Sequence, residues 1–231
     1  MSGQSRSKIA DLKTTALVLR RTNYGESDRI LDLLTPTGKV TALAKGARKE
    51  KSKLAGGIEM FSVSEVVLHR GRNDFFLLTS AKMKKFYRGI LSSLEKLELA
   101  SLALKKTNRA AEGFDTEEYY DLLIQVLDGL ENDFNLTMLE TWFYFNLIRI
   151  AGEQVNLITD TTGAMLALED HYVWDPTEKA LQKLPAGKIS ANEIKLMRLM
   201  LSAPLTVIAR VQNVDKFLPE ILYIAKSLNQ F

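Results

Sequence analysis

Up to about residue 85 the apolar and β-branched side chains come in short runs broken by turn formers. From Leu91 onward they recur at three- and four-residue steps. The first pattern predicts strands and the second helices. "TTALVLRRTNY" (14–24) reads as a strand. "RILDLLTPTGKVTALAKG" (29–46) holds two apolar runs around Thr35-Pro36-Thr37-Gly38, where Pro36 presets φ and Gly38 tolerates a positive φ, so it predicts a hairpin. In its second arm Val40, Ala42 and Ala44 share one face and Thr41, Leu43 and Lys45 the other. "FSVSEVVLHRGRNDFFLLTSAKMKKF" (61–86) repeats the device around Gly71-Arg72-Asn73-Asp74. Five short strands spaced in this way predict a small barrel; an OB-like barrel fits best, and an SH3-like barrel has the same pattern.

The helical half opens with "LSSLEKLELASLALKKTNRAAEG", ending near Gly113 as a C-cap. Asp115 and Glu118 form a variant capping box for "TEEYYDLLIQVLDGLEN". "NLTMLETWFYFNLIRIAG" (135–152) is apolar nearly all round, so Trp142, Phe143, Tyr144 and Phe145 predict a buried central helix rather than an aromatic binding surface. Residues 153–189 lose periodicity, with a small hairpin or loop expected around Asp175-Pro176. Ser190 and Glu193 box the start of a helix that Pro204 ends. The last segment is amphipathic, with Phe217, Leu218, Ile221, Leu222, Ile224 and Leu228 inward. The expected organisation is α+β: an OB-fold barrel over 1–86, then an all-α domain over 87–231 with an irregular insertion near 153–189.

Composition fits a globular chain: 231 residues, 46% hydrophobic and 26% charged. No run approaches the roughly 18 apolar residues that a membrane span needs. The polar start "MSGQSRSKIADLK" shows no secretory signal, and the chain has no cysteine. Together these predict a cytoplasmic protein. The net charge of +3 conceals a split: residues 1–88 carry 18 Lys and Arg against 8 Asp and Glu, and residues 89–231 carry 13 against 20. A basic barrel joined to an acidic helical module points to a polyanion partner for the first half; solvated charge distributed by chance is the bland alternative.

The densest basic stretch is "AKGARKEKSK" (44–53), with Lys45, Arg48, Lys49, Lys51 and Lys53 against the single acid Glu50. It follows a strand and precedes Gly56-Gly57, so it predicts a flexible loop whose small residues let backbone approach phosphate. Tyr24 sits at a strand end amid Arg20, Arg21 and Arg29, where a base-stacking residue would lie; packing at the barrel rim is the equal alternative. Support for catalysis is thin. The two histidines, His69 and His171, show no triad setting, no phosphate-cradling glycine motif is present, and no acidic cluster has two-metal spacing.

The elements "VLR…YGESDRI", "LTPTGKV…AKGARK.KSK" and "F…E..L..GR", in that order over about 70 residues, resemble the N-terminal domain of the bacterial RecO family of recombination mediators and strand-annealing proteins. The rest matches the RecO helical domain more loosely, through helix lengths and "RIAGEQVNL". The resemblance implies an OB-fold followed by helices and no chemical turnover. It implies binding of single- and double-stranded DNA, strand annealing, and loading of RecA with RecR and, in some settings, RecF. It also implies contact with the acidic, Phe-ended tail of single-strand-binding protein, and a nucleoid-associated place in the cytoplasm. Carried onto matching positions, it nominates Lys45, Arg48, Lys49, Lys51, Lys53 and Arg72 as phosphate contacts, with Arg20, Arg21 and Arg29 in support.

One departure stands out. Many RecO proteins carry a four-cysteine zinc module opening with CxxCG, and here that stretch is "LITDTTG", with Thr159 and Thr162 in place of thiolates. Hydroxyls are poor zinc ligands, so no structural zinc and no other cofactor is expected. The acidic helical domain is assigned protein contacts, with Lys195, Arg198 and Arg210 as cations for the tail. The alternative function from another class is an OB-domain RNA-binding or ribosome-associated factor.

Overall fold

The computed structural model describes residues 11–70, 75–113 and 117–229. Five strands, β1 (Leu12–Tyr24), β2 (Asp28–Thr35), β3 (Gly38–Ala44), β4 (Ser62–Arg70) and β5 (Phe76–Phe86), close into a barrel of order β1-β2-β3-β5-β4. All pairings are antiparallel except β3 with β5. This is OB connectivity, which resolves the choice between the two barrel types. β1 is long enough to pair through Leu12–Leu17 with β4 and through Leu17–Tyr24 with β2, and its register shifts between Val18 and Arg20. The extra residue bends the strand from one half of the barrel into the other. The β2–β3 turn places Thr35 opposite Gly38, whose φ is 118°, so only Pro36 and Thr37 lie between the strands. The expected turn at Gly71–Asp74 and the Asp115 cap lie outside the described residues.

The alternation predicted for β3 holds. Ala42 and Ala44 enter a core with Ala16, Val18, Leu31, Leu33, Val66, Leu68 and Leu78. Leu17, Leu19 and Leu34 lie outside that cluster and are nevertheless buried. Two compact units emerge, Met1–Leu91 with Ala100–Ile124, and Ser92–Leu99 with Gln125–Phe231. Helices α1 (Leu94–Ala110) and α2 (Glu118–Glu131) each give residues to both. In the first unit Lys39 Nζ donates to Asn108 O, Asn108 Nδ2 to Asp32 Oδ2 at 3.3 Å, and Tyr120 OH to Thr15 Oγ1 at 3.1 Å. Helical residues 100–124 thus group with the barrel, although the period of the sequence changes at Leu91. Periodicity reports local conformation, not the surface against which a helix packs.

The second unit is built on α3 (Leu136–Ile150), in which every residue from Met138 to Ile148 except Glu140 is buried. Asn135 caps it through Met138 N, and Asn146 bridges Trp142 O and Met200 O. Around it stand α4 (Ala191–Ser202), opened by the expected Ser190–Glu193 capping box, the short α5 (Leu205–Ile208) and α6 (Leu218–Leu228). The irregular region contains the hairpin β6 (Tyr172–Asp175) and β7 (Ala180–Lys183). No described helix is long and apolar enough to cross a membrane.

The "DTTG" stretch is organised by a carboxylate. Buried Asp160 accepts through Oδ1 from Thr162 N at 2.8 Å, Thr162 Oγ1 at 2.6 Å and Ala164 N at 3.1 Å. These bonds, the Thr162 hydroxyl first, hold its carboxyl below the usual value. A depressed folded-state value means that ionised Asp160 stabilises the turn above the unfolded value of about 3.9, and that this contribution is lost as pH falls through the folded value. Asp160→Ala should therefore cut the hydrogen-exchange protection of the Thr162 and Ala164 amides at neutral pH. In the unaltered chain the same protection should fall only in acid. Equal protection in the variant would show that packing, not the carboxylate, makes the turn.

Candidate nucleic-acid interface

The basic stretch leaves β3 at Lys45 and is anchored at both ends. Ala47 and Ile58 are 2% and 0% exposed and join the barrel core, with Leu54 packed against it between them. Burying Ile58 alone contributes roughly 2–3 kcal/mol. Gly57 lies so close to the Ala81 backbone of β5 that no Cβ could fit. Gly46 adopts a φ of 63° and donates its N–H to Asp28 Oδ1 at 2.7 Å. Arg48 N donates to Ser27 O at 2.8 Å, and its Nη1 reaches Gly25 O at 3.3 Å. Expected as a flexible loop, the segment is a run of turns stitched to the β1–β2 turn, because three apolar residues interrupt its charge. Lys45, Arg48, Lys49, Lys51 and Lys53 are all exposed, and none makes an ion pair among the described residues.

Beside this loop lies an outward sheet face. The register sets Ile30 against Leu43 and Leu43 against Leu77, so these three half-buried apolar side chains share the outer surface of β2, β3 and β5. Tyr24, 55% exposed, ends β1 on the same side, and Phe75, 51% exposed, immediately precedes β5. Exposed aromatics beside an apolar sheet face, with cations at its margin, form the kind of platform on which bases stack while phosphates are neutralised.

The sequence-nominated cations do not all join this face. Arg20 is exposed and lies across from Asp32 on the outer row. Arg21, by contrast, is half-buried and engaged: its Nη1 donates to Glu59 Oε2 at 2.8 Å and to Ile58 O at 3.4 Å, which clamps the returning end of the loop. The bulge at Leu19 turns it to that side. Arg29 pairs in register with core residue Ala44, and its Nε is buried without a hydrogen-bond partner among the described residues. Arg72 lies outside the described residues.

Residues 9–87 match the family model described as "Recombination protein O N terminal". Among curated proteins, one from Dehalococcoides mccartyi is 35% identical over 156 residues, covering 65% of this chain and 60% of that one. Another from Roseiflexus sp. is 29% identical over 203 residues, covering 84% and 71%. A third, from Gloeobacter violaceus, is 38% identical over 120 residues, covering 51% and 46%. Each of the three is named "DNA repair protein RecO".

The chain is similar to RecO proteins, and its residues 9–87 match the N-terminal domain of that family. Its match spans about 60% of the length of the first of those relatives. Two features of this barrel went unread in the sequence. Phe75 was hidden inside an apolar strand run, where exposure cannot be told from burial. Lys82, Lys84 and Lys85 form an exposed row on β5 beyond the end of β3, yet Lys84 bonds Glu65 at 3.1 Å and Lys85 lies over the Tyr87 ring at 4.4 Å. The Lys84 bond, then the nearby Lys13 and Lys82 charges, hold Glu65 below the usual carboxylate value. That row is partly neutralised from within, whereas the loop cations make no ion pair among the described residues.

Of the three cations expected in the second unit, Lys195 lines a groove of about 320 Å³ with Leu196, Leu199, Val211 and Phe217. Arg198 donates Nε and Nη2 to Leu157 O at 3.1 and 2.6 Å, an anchor for the irregular segment. Arg210 is exposed but does not line the groove.

If Arg21 is a clamp and not a phosphate contact, Arg21→Ala should cost about 1 kcal/mol of stability to urea. The slope of log affinity for nucleic acid against log salt should remain unchanged. A lower slope at unaltered stability would return Arg21 to the contact surface.

Proposed function

We propose that the chain is a non-enzymatic DNA-binding and strand-annealing mediator of recombination and repair, helping RecA to load on DNA coated by single-strand-binding protein. The observation that carries this reading is the anchored loop, whose five cations make no ion pair among the described residues and stand beside Tyr24, Phe75 and an apolar sheet face. A polyanion with stackable bases satisfies both features at once, which an acidic protein surface does not. Bound cations screen the repulsion between two sugar-phosphate chains, and base pairing then supplies the free energy, so no nucleotide hydrolysis is required. The names of the relatives point the same way.

Partner proteins follow the same reading. RecR, with or without RecF, would act with the chain in loading. The groove beside Lys195 suits the acidic, Phe-ended tail of single-strand-binding protein, with an ammonium for the carboxylates and Leu196, Leu199 and Phe217 for an aromatic ring. Lys195→Glu should reduce binding of such a tail peptide to the full chain at least tenfold by calorimetry, while oligonucleotide binding persists. A peptide that binds both forms equally removes the groove from the reading.

Annealing of complementary oligonucleotides, bare and pre-coated with single-strand-binding protein, tests the core of the proposal. Replacing Lys45, Arg48, Lys49, Lys51 and Lys53 together by Glu should abolish it with the circular dichroism spectrum intact. If six to ten phosphates are engaged, affinity should fall by roughly 10³ to 10⁵ between 50 and 200 mM salt. Tyr24→Ala and Phe75→Ala should each cost about 1–3 kcal/mol of single-strand binding with the salt slope preserved. A flat salt response, or preference for structured RNA over single-stranded DNA in competition, would overturn the reading.

A further inference from the structure

Helix α1 carries a second group of cations in the same compact unit as the barrel. Lys105 and Arg109 are exposed, one turn apart, and make no ion pair among the described residues. Between them Asn108 marks the point where the helix meets the outer sheet: its carbonyl accepts from Lys39 Nζ at 3.0 Å and its amide donates to Asp32 at 3.3 Å. On the neighbouring position, burial first and then the charges of Arg109 and Lys105 push the Lys106 ammonium below its usual value. Positive charge is crowded here. A favourable helix dipole explains cations near a helix C-terminus; it does not explain why these two stand where the outer row of β3 ends.

That row runs Lys39, Thr41, Leu43, Lys45 on alternate positions. One end is the basic loop and the other is the Asn108 junction. Six residue steps of a strand place the ends about 20 Å apart, a span of a few nucleotides and within the range for one OB-fold. Leu43, flanked by Ile30 and Leu77, lies between. The interface so far described has phosphate contacts at one end only.

We propose that Lys105 and Arg109 form the far phosphate clamp of the single-stranded DNA track, so that a strand enters at the 45–53 loop, crosses the outer face of β3 and leaves over α1. This rests on the DNA-binding reading above and extends it to a segment that the sequence placed in a different domain. A strand held at both ends is kept extended with its bases toward the apolar face, the arrangement that a complementary strand needs.

The test is a titration of the full chain with oligothymidines of increasing length, comparing it with Lys105→Ala/Arg109→Ala and with Lys49→Glu/Lys51→Glu. The α1 variant should bind the shortest oligonucleotide that the unaltered chain retains without loss. With longer ones it should lose about tenfold at low salt, and its salt slope should fall by about 1.4, the contribution of two single-strand phosphate contacts. Lys105→Arg/Arg109→Lys, which keeps both charges, should restore the length dependence. Unchanged affinity and slope on long oligonucleotides would overturn the clamp, as would equal loss at every length. The loop variant separates the two readings. Normal binding by it sinks the underlying interface and the clamp with it, whereas a weakened loop variant beside a normal α1 variant sinks only the clamp.

Discussion

Barrel closure is the constraint from which the other features follow. A closed sheet of five strands has no free edge, and β1 and β5 must each serve two neighbours to achieve it. β1 does so by its length and the bulge at Leu19, and β5 by extending past the end of β3. Closure fixes which residues face outward, because the side-chain period is two and a slip of one position would exchange core for surface. Ala47, within the basic segment, and Ile58, just beyond it, are part of the barrel core, with Leu54 packed against it. The chain that carries the cations therefore also contributes to the core.

The outer surface of the barrel then divides by what covers it. Over part of β1 and β2 the outward apolar residues Leu17, Leu19 and Leu34 are buried. Residues 100–124 attach there through Asn108 and Tyr120, at polar groups of the sheet. Over β3 and the start of β5 the outward residues Leu43 and Leu77 stay half-open, with Phe75 and Tyr24 at the margins. In the first region the sheet is engaged by the protein's own helical residues. The second is left for a ligand with a flat apolar face and a charged backbone.

Sequence periodicity made the strands, the β2–β3 turn, the three longest helices and the Ser190 cap legible, since each is decided within a few residues. Arg21 and Arg29 were less legible. Both sit in a basic context, yet a bulge two residues upstream of Arg21 and a pairing with Ala44 turn them toward the loop and the core, and neither fact is local. The place of α1 was hidden for a similar reason: its residues read as helix whichever unit they join. The irregular stretch shows the opposite case, where the missing thiolates were plain in the sequence but the Asp160 turn that stands there was not. Aspartate followed by two threonines and a glycine is common in loops, and only burial marks this carboxylate as an organiser.

Anchoring the basic loop has an energetic meaning for binding. A free segment of ten residues would lose backbone freedom of about 1–2 kcal/mol per residue on being fixed against a phosphate chain. Here Ala47, Leu54 and Ile58, with the bonds to Ser27 and Asp28, have imposed most of that order during folding. Each cation–phosphate contact is weak and screened by salt, so a loop that had to order on binding would return little net affinity. Folding meets the ordering cost in advance, and the modest contacts that remain are readily reversed. A protein that brings two strands together must also let the duplex go, and preorganised, salt-sensitive contacts satisfy both demands.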